Sequence, residues 1–313
     1  MARIKFLRLG KGFLSLLREA FKEFQLNDPL RMAAATTFFA TFALPPILII
    51  LVEVFGFFGN SRIIRHNLLN QLGNEIDKNT VLQLSDTLKN VRHLSLSWYA
   101  KTGGFIFLLF VATTLFIVIN SSLNQLWKFR RRKNNSGIFM LWYRAKSIGI
   151  ILIAGILFLI VLTGNPNGSI LPEYYRAWYK GMNLFLQRFL YYGLSWLSVI
   201  SLFVLILKYL ADGRPSWKVA IAGGVFTGIL FSSGKIFLNF LLSYDQVQTI
   251  YGASTALVLL FLFIFYSSFM FYFGACFTKV LAIHINQPIL PTVHAFRYKL
   301  KIVEWDEEDS IKN

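Results

Sequence analysis

The residues with chemical potential in this 313-residue chain are few and scattered. His66, His93, His284 and His294 show no His-x-His or His-Glu-x-x-His spacing, which would place two imidazoles on one metal. Ser233-Gly234-Lys235 copies part of a phosphate-binding loop. However, Gly228 stands one residue too far upstream, and Ile236 replaces the required Ser or Thr. Cys276, between Ala275 and Phe277, lacks a sequence neighbour that would activate a thiolate, and reads as a packing cysteine. As the single cysteine, it also excludes an intramolecular disulfide. No enzyme template survives this survey, so the chain reads as non-enzymatic and without a cofactor.

What remains are polar residues inside apolar runs. A charge at membrane depth costs at least about 2.5 kcal/mol and normally faces a partner or a water-filled cavity. Lys235, Glu53 and Arg188 all fall in the outer half of their runs and form a candidate cluster. Two readings stand: an anion-binding group, or a structural ion pair with Arg188 snorkelling to the headgroups. Pro45-Pro46 removes two backbone donors, which frees the carbonyls of Thr41 and Phe42 and predicts a kink beside the hydroxyls of Thr36, Thr37 and Thr41. Asn120 and Asn124 share a helix face, where hydrogen bonds between helices are the preferred reading.

The elements that must carry these residues follow from composition. Hydrophobic residues make up 55% and charged residues 15%, against roughly 25% charged in soluble domains. A bilayer core of about 30 Å requires about 20 apolar helical residues. Six stretches qualify: 32–52, 104–126, 147–163, 189–207, 219–242 and 253–277, the third being the shortest. The net charge of +17 is concentrated between them. Segments 1–31, 127–146, 208–218 and 279–313 carry 22 Lys and Arg, against 8 in 53–103, 164–187 and 243–252. Positive segments stay inside, so both termini are expected in the cytoplasm. The first 30 residues lack the features of a cleavable signal peptide.

This predicts an all-α polytopic membrane protein in three parts. Residues 1–28 form an amphipathic helix, 29–285 the six-helix domain, and 286–313 a cytoplasmic tail ending in a disordered acidic stretch. In the first part Ile4, Leu7, Phe13, Leu14, Leu17, Phe21 and Phe24 fall at helical spacing, with cations largely opposite. That suits either a helix lying in the membrane interface or one packed on the bundle ends. Asp28 suits an N-cap and Pro29 the first helical position. Residues 59–103 hold two helix-like patterns and read as an outer cap. Asn165-Pro166-Asn167-Gly168 is a turn, and Tyr174, Tyr175, Trp178 and Tyr179 suit an outer aromatic belt.

Several strings resemble the YihY/BrkB family of bacterial inner-membrane proteins. They are Asn27-Asp-Pro-Leu-Arg-Met-Ala-Ala-Ala continuing to Ala43-Leu-Pro-Pro, and Asn120-Ser-Ser-Leu-Asn-Gln-Leu-Trp127. Pro215-Ser-Trp-Lys218 and Tyr251-Gly252-Ala-Ser, similar to the family's entry to its last helix, extend the resemblance over 27–280. One departure is Gly274-Ala275-Cys276, where the family usually has Gly-Ala-Glu. The resemblance implies six spanning helices, envelope function with virulence or serum resistance in some members, and suspected lipid handling. It also implies caution over ribonuclease BN, an old family label that arose from misassignment.

The function expected is therefore transport or handling of an anionic amphiphile such as phospholipid, in a bacterial inner membrane. Lys235, Arg188, Glu53, Pro45, Pro46, Thr41, Asn120, Asn124, Tyr251 and Gly252 are the site candidates. The alternative is a scaffold whose outer cap or basic segment 128–133 docks an envelope protein. A membrane nuclease rests on that basic segment alone, and no nucleic-acid partner is expected. The topology has a direct test, single cysteines in a Cys276→Ser background probed with an impermeant thiol reagent on intact cells. Asn79→Cys should label and Ser136→Cys should not; the reverse pattern overturns the orientation.

Overall fold

The computed structural model describes residues 2–56, 98–132, 148–157, 183–242 and 255–299, with isolated positions between them. An amphipathic helix α1 (Ala2–Gln25) leads into α2 (Pro29–Gly56). There follow α3 (Trp98–Trp127), α4 (Ile148–Leu157), α5 (Leu184–Leu205), α6 (Trp217–Leu242) and α7 (Thr255–His284). Among the described residues five helices are long and apolar enough to cross a membrane, within α2, α3, α5, α6 and α7. The remaining expected span is represented by α4, too short to cross alone, and residues 158–163 lie outside the described residues. Most of the expected outer cap also lies outside them, as do 165–179 and 300–313, but α3 begins at Trp98, inside the segment read as cap.

α7 is the central helix: it packs on α1, α2, α3 and α6, while α2 pairs with α3 and α5 with α6. The core gathers around Trp127, Tyr272, Leu123, Leu126 and Leu207, all essentially inaccessible. Cys276 belongs to this core as a fully buried free thiol. α2 continues through Pro45-Pro46 as one helix. Thr36, Thr37 and Thr41 each donate to the carbonyl four residues back, at 2.9, 2.7 and 2.9 Å, and Thr36 Oγ1 also meets Tyr272 Oη at 2.5 Å.

α1 packs on the bundle through Leu16, Ala20 and Phe24, against Phe277, Val280 and the rings of Phe269 and Phe273. Phe13, Leu14 and Phe21 of the same helix stay exposed. Pro29 opens α2 as expected, whereas Asp28 does not take an N-cap's extended backbone. It adopts a φ of 52° in the three-residue link between the two helices.

Two short ladders qualify the all-α expectation. β1 (Phe129–Arg131) pairs antiparallel with β4 (Ala295–Arg297), and β2 (Gly213–Arg214) with β3 (Leu290–Pro291). Residues 286–297, read from sequence as the start of a tail, therefore fold back across the bundle end. The reversal starts where Asn286, at φ 54°, ends α7 and Gln287 N–H donates to Ala282 O at 2.8 Å.

The α6–α7 contact depends on absent side chains. A Cβ on Gly223 would collide with Thr278, and one on Gly274 with Thr227. Each threonine hydroxyl donates to the glycine four residues back on its own helix, at 2.7 Å in both cases. A Cβ on Gly234 would enter the Tyr266 ring, which gives the phosphate-loop-like string a packing role. Such small-residue contacts hold helices together in lipid, where apolar burial gives little net drive. Gly223→Ala should cost about 1–3 kcal/mol by overpacking, and adding Thr278→Ala should recover part of the loss. Thermal unfolding in detergent measures this; a neutral Gly223→Ala contradicts the packing described.

Candidate functional site: a polar pocket at the basic end of the bundle

The last two turns of α3 carry the site. Asn120, buried, donates through Nδ2 to the carbonyl of Leu210. That carbonyl ends a π-helical turn, Ile206–Leu210, which continues α5, and a helix's final carbonyls have no partner along their own helix. One turn on, Asn124 Nδ2 donates to Asn120 Oδ1 at 2.9 Å and to Asp212 Oδ2 at 2.7 Å, while its Oδ1 accepts from Asp212 N–H at 2.9 Å. Trp127 Nε1 reaches Ala275 O on α7 at 3.0 Å. Asn120, Asn124 and Trp127 thus pin α3 to α5, to the following loop and to α7.

Asp212 is the hub. Arg131 grips its carboxylate, with Nε–Oδ2 at 3.2 Å and Nη2 at 3.0 and 2.9 Å from the two oxygens. The backbone carbonyl of Asp212 accepts from Thr292 N–H at 2.8 Å, which ties in the returning segment. Lys208 closes the 211–216 loop by donating to Pro215 O at 2.6 Å and lying 5.1 Å over the Trp217 ring.

A second charged group joins α1 to the same end. Lys279 Nζ donates to Glu23 Oε1 at 2.5 Å and to Leu126 O at 2.8 Å, while Lys128 Nζ donates to Asn27 Oδ1 at 2.7 Å. Asn27 Nδ2 donates to Glu23 O at 2.6 Å, which closes the α1–α2 turn. Burial alone raises the Glu23 carboxyl, but the bond and charge of Lys279, with Asn27 and Lys128, bring it below the ordinary carboxylate value. Burial and the like charge of Lys279 push the Lys128 ammonium down, with Glu23 offsetting part.

Between these groups lies a pocket of about 990 Å³. Lys128, Arg130, Arg131 and Lys299 provide its positive lining, Asn120, Asn124 and Gln125 its neutral polar groups, and Ile117, Leu26 and Phe129 apolar wall. Arg130 and Lys299 are exposed. Of the two lining acids, Asp212 is held by Arg131 and exposed Asp28 lies 3.6 Å from Arg31, so the four lining cations remain in excess and the arrangement is suited to holding an anion beside an apolar surface. Among the described residues no three His, Cys, Asp or Glu side chains gather as a metal would require.

Residues 20–292 match the family described as virulence factor BrkB. The chain belongs to the virulence factor BrkB family. Its relatives include UPF0761 membrane proteins of Teredinibacter turnerae, 25% identical over 88% of this chain and 62% of theirs, and Pseudomonas aeruginosa, 28% identical over 78% and 57%. That of Psychromonas ingrahamii is 24% identical over 72% of this chain and 70% of its own length. The chain thus spans about 60% of the first two relatives' length. No solved structure matches. With five membrane-length apolar helices among its described residues, this BrkB-family chain is an integral, multi-pass membrane protein.

Of the residues singled out from sequence, Asn120 and Asn124 enter this site. Thr41, Pro45 and Pro46 lie along α2 away from the pocket lining, with the Thr41 hydroxyl bonded within its own helix. Arg188 is exposed near the start of α5, the end remote from the site. The side chains of Glu53 and Lys235, and all of Tyr251 and Gly252, lie outside the described residues. Sequence reasoning missed Asp212, Arg131, Glu23 and Lys279. The available signal for Asp212 was its position as the lone acid in the basic segment 208–218.

Asp212→Asn removes the charge that Arg131 grips, and should cost about 1–3 kcal/mol, the range for hydrogen bonds to charged groups. Arg130→Gln, exposed, should stay within about 0.5 kcal/mol. Thermal unfolding of both in one detergent checks this; equal effects remove Asp212 from its role as hub.

Proposed function

We propose that this protein handles an anionic amphiphile, such as a phospholipid, in a bacterial inner membrane without covalent chemistry, seating the headgroup in the basic pocket. One observation carries the reading: a single pocket sets four cations beside apolar wall contributed by a spanning helix. Its volume lies at the upper end of small-ligand sites. The distribution of Lys and Arg supports a cytoplasmic position for the pocket. An arriving anion would offset the burial and the like charge of Lys279 that push the Lys128 ammonium down. On this reading Pro45-Pro46 of α2 and Lys235 of α6 mark a route toward the opposite leaflet, and Arg188 meets the headgroup there.

The test is lipid retention by the purified protein, read by native mass spectrometry after exposure to phosphatidylglycerol or phosphatidylcholine. Wild type should retain the anionic lipid preferentially. Arg130→Gln with Lys299→Gln should weaken that retention on the order of tenfold, since a cation near a headgroup contributes about 1 kcal/mol. Equal retention of both lipids, or an unaffected double variant, overturns the reading. Recovery of one specific envelope protein by cross-linking at 128–133 would then favour the scaffold alternative.

A further inference from the structure

A second cavity, of about 770 Å³, lies between α1 and the α6–α7 pair. Leu14, Leu17 and Phe21 of α1 face Phe226, Leu230 and Phe273 across it. Arg18 is the charged residue of the lining, and the hydroxyl of Ser15 is engaged by Gly12 O at 2.8 Å. The groove therefore presents hydrocarbon with one cation and no competing acid among its lining residues. Leu14 is 69% exposed and Phe21 51%, so the apolar surface continues outward from the groove instead of ending in a polar rim.

The lengths of the helices indicate what surrounds the groove. α6 has 26 residues and α7 has 30, or about 39 and 45 Å, so both outrun a hydrocarbon core of about 30 Å. Phe277 stands about 10 Å back from the α7 terminus, counted at 1.5 Å per residue. Phe13 meets the rings of Phe226 and Phe277 at 6.5 and 6.1 Å, and Phe21 meets Phe273 at 6.3 Å. α1 is therefore held against the spans near the level where hydrocarbon gives way to headgroups. At that level an open apolar groove is bathed by lipid, and a cation beside it attracts phosphate.

From this geometry we infer that the groove under α1 binds one membrane phospholipid, with an acyl chain against Leu17, Phe21, Phe226 and Leu230 and the phosphate on Arg18. This site shares no lining residue with the basic pocket and does not depend on the function proposed for it. The bound lipid completes the wall between α1 and α6, where protein packing leaves a gap.

The full-length protein in liposomes of phosphatidylglycerol carrying a mid-chain diazirine provides the test. After irradiation, adducts should concentrate on 14–21 and 226–230 over exposed Ile221 of the same helix. Leu230→Trp, which fills the groove, should reduce them several-fold. Arg18→Gln, an exposed and fold-neutral change, should remove the preference over the matching phosphatidylcholine probe. Arg130→Gln with Lys299→Gln should leave the groove adducts unchanged even where the basic pocket loses its lipid. Adducts no denser than at Ile221, an undiminished signal in well-folded Leu230→Trp, no response to Arg18→Gln, or a protein–protein cross-link through the groove each overturn the assignment.

Discussion

The obligation to satisfy polar groups at the ends of apolar helices governs this structure. Inside a bilayer no water is available to bond an orphan carbonyl, and an unsatisfied one costs several kcal/mol. At the basic end the need is met across helices. Asn120 takes the Leu210 carbonyl and Lys279 that of Leu126, both at helix ends, while Trp127 adds a bond to the Ala275 carbonyl within α7. The Asn120 bond joins α3 to the turn that continues α5, and the other two join α3 to α7, so together they fix how α3, α5 and α7 stand. Asp212 extends the same logic to the connecting loop, and Arg131 supplies the charge that lets its carboxylate remain there.

The two faces of the bundle are held by different forces. Between α6 and α7 the contact is steric, with glycines at 223 and 274 admitting threonines from the opposite helix. At the basic end it is polar, and polar contacts require their partners at fixed distances. A steric seam tolerates sliding only until a side chain meets a backbone, whereas charged bonds hold one arrangement. The pocket arises where the second kind of contact predominates, because side chains committed to specific partners cannot collapse to fill the space between them.

Charge has a double role at that end. Glu23 and Asp212 offset some cations, and Lys128, Arg130 and Lys299 remain in the pocket lining. α1 belongs to the same system: Glu23 anchors it through Lys279 while Leu16, Ala20 and Phe24 dock it on α7. Of the two arrangements that its pattern allows, the packing on the bundle is the one these contacts make. The two cavities differ accordingly: one is lined by cations and amides, the other by hydrocarbon with a single arginine.

The sequence by itself determined the class. Hydropathy over about 20 residues located six stretches, five of which are membrane-length helices among the described residues, since a bilayer sets their length whatever they pack against; the Lys and Arg bias indicated an orientation. Pro29 as helix start and Cys276 as a buried thiol were legible for similarly local reasons. The family motifs were legible as strings, but their purpose was not. Asn120 and Asn124 stood out on one face, yet their partners Leu210 and Asp212 lie 90 and 88 residues away. Only tertiary structure decides such pairings. It likewise decided that Glu23 meets Lys279, that 290–297 return as strands, and that α1 leaves a groove against α6. Local periodicity records which face of a helix is apolar; it carries no record of which distant residue will fill or bond that face.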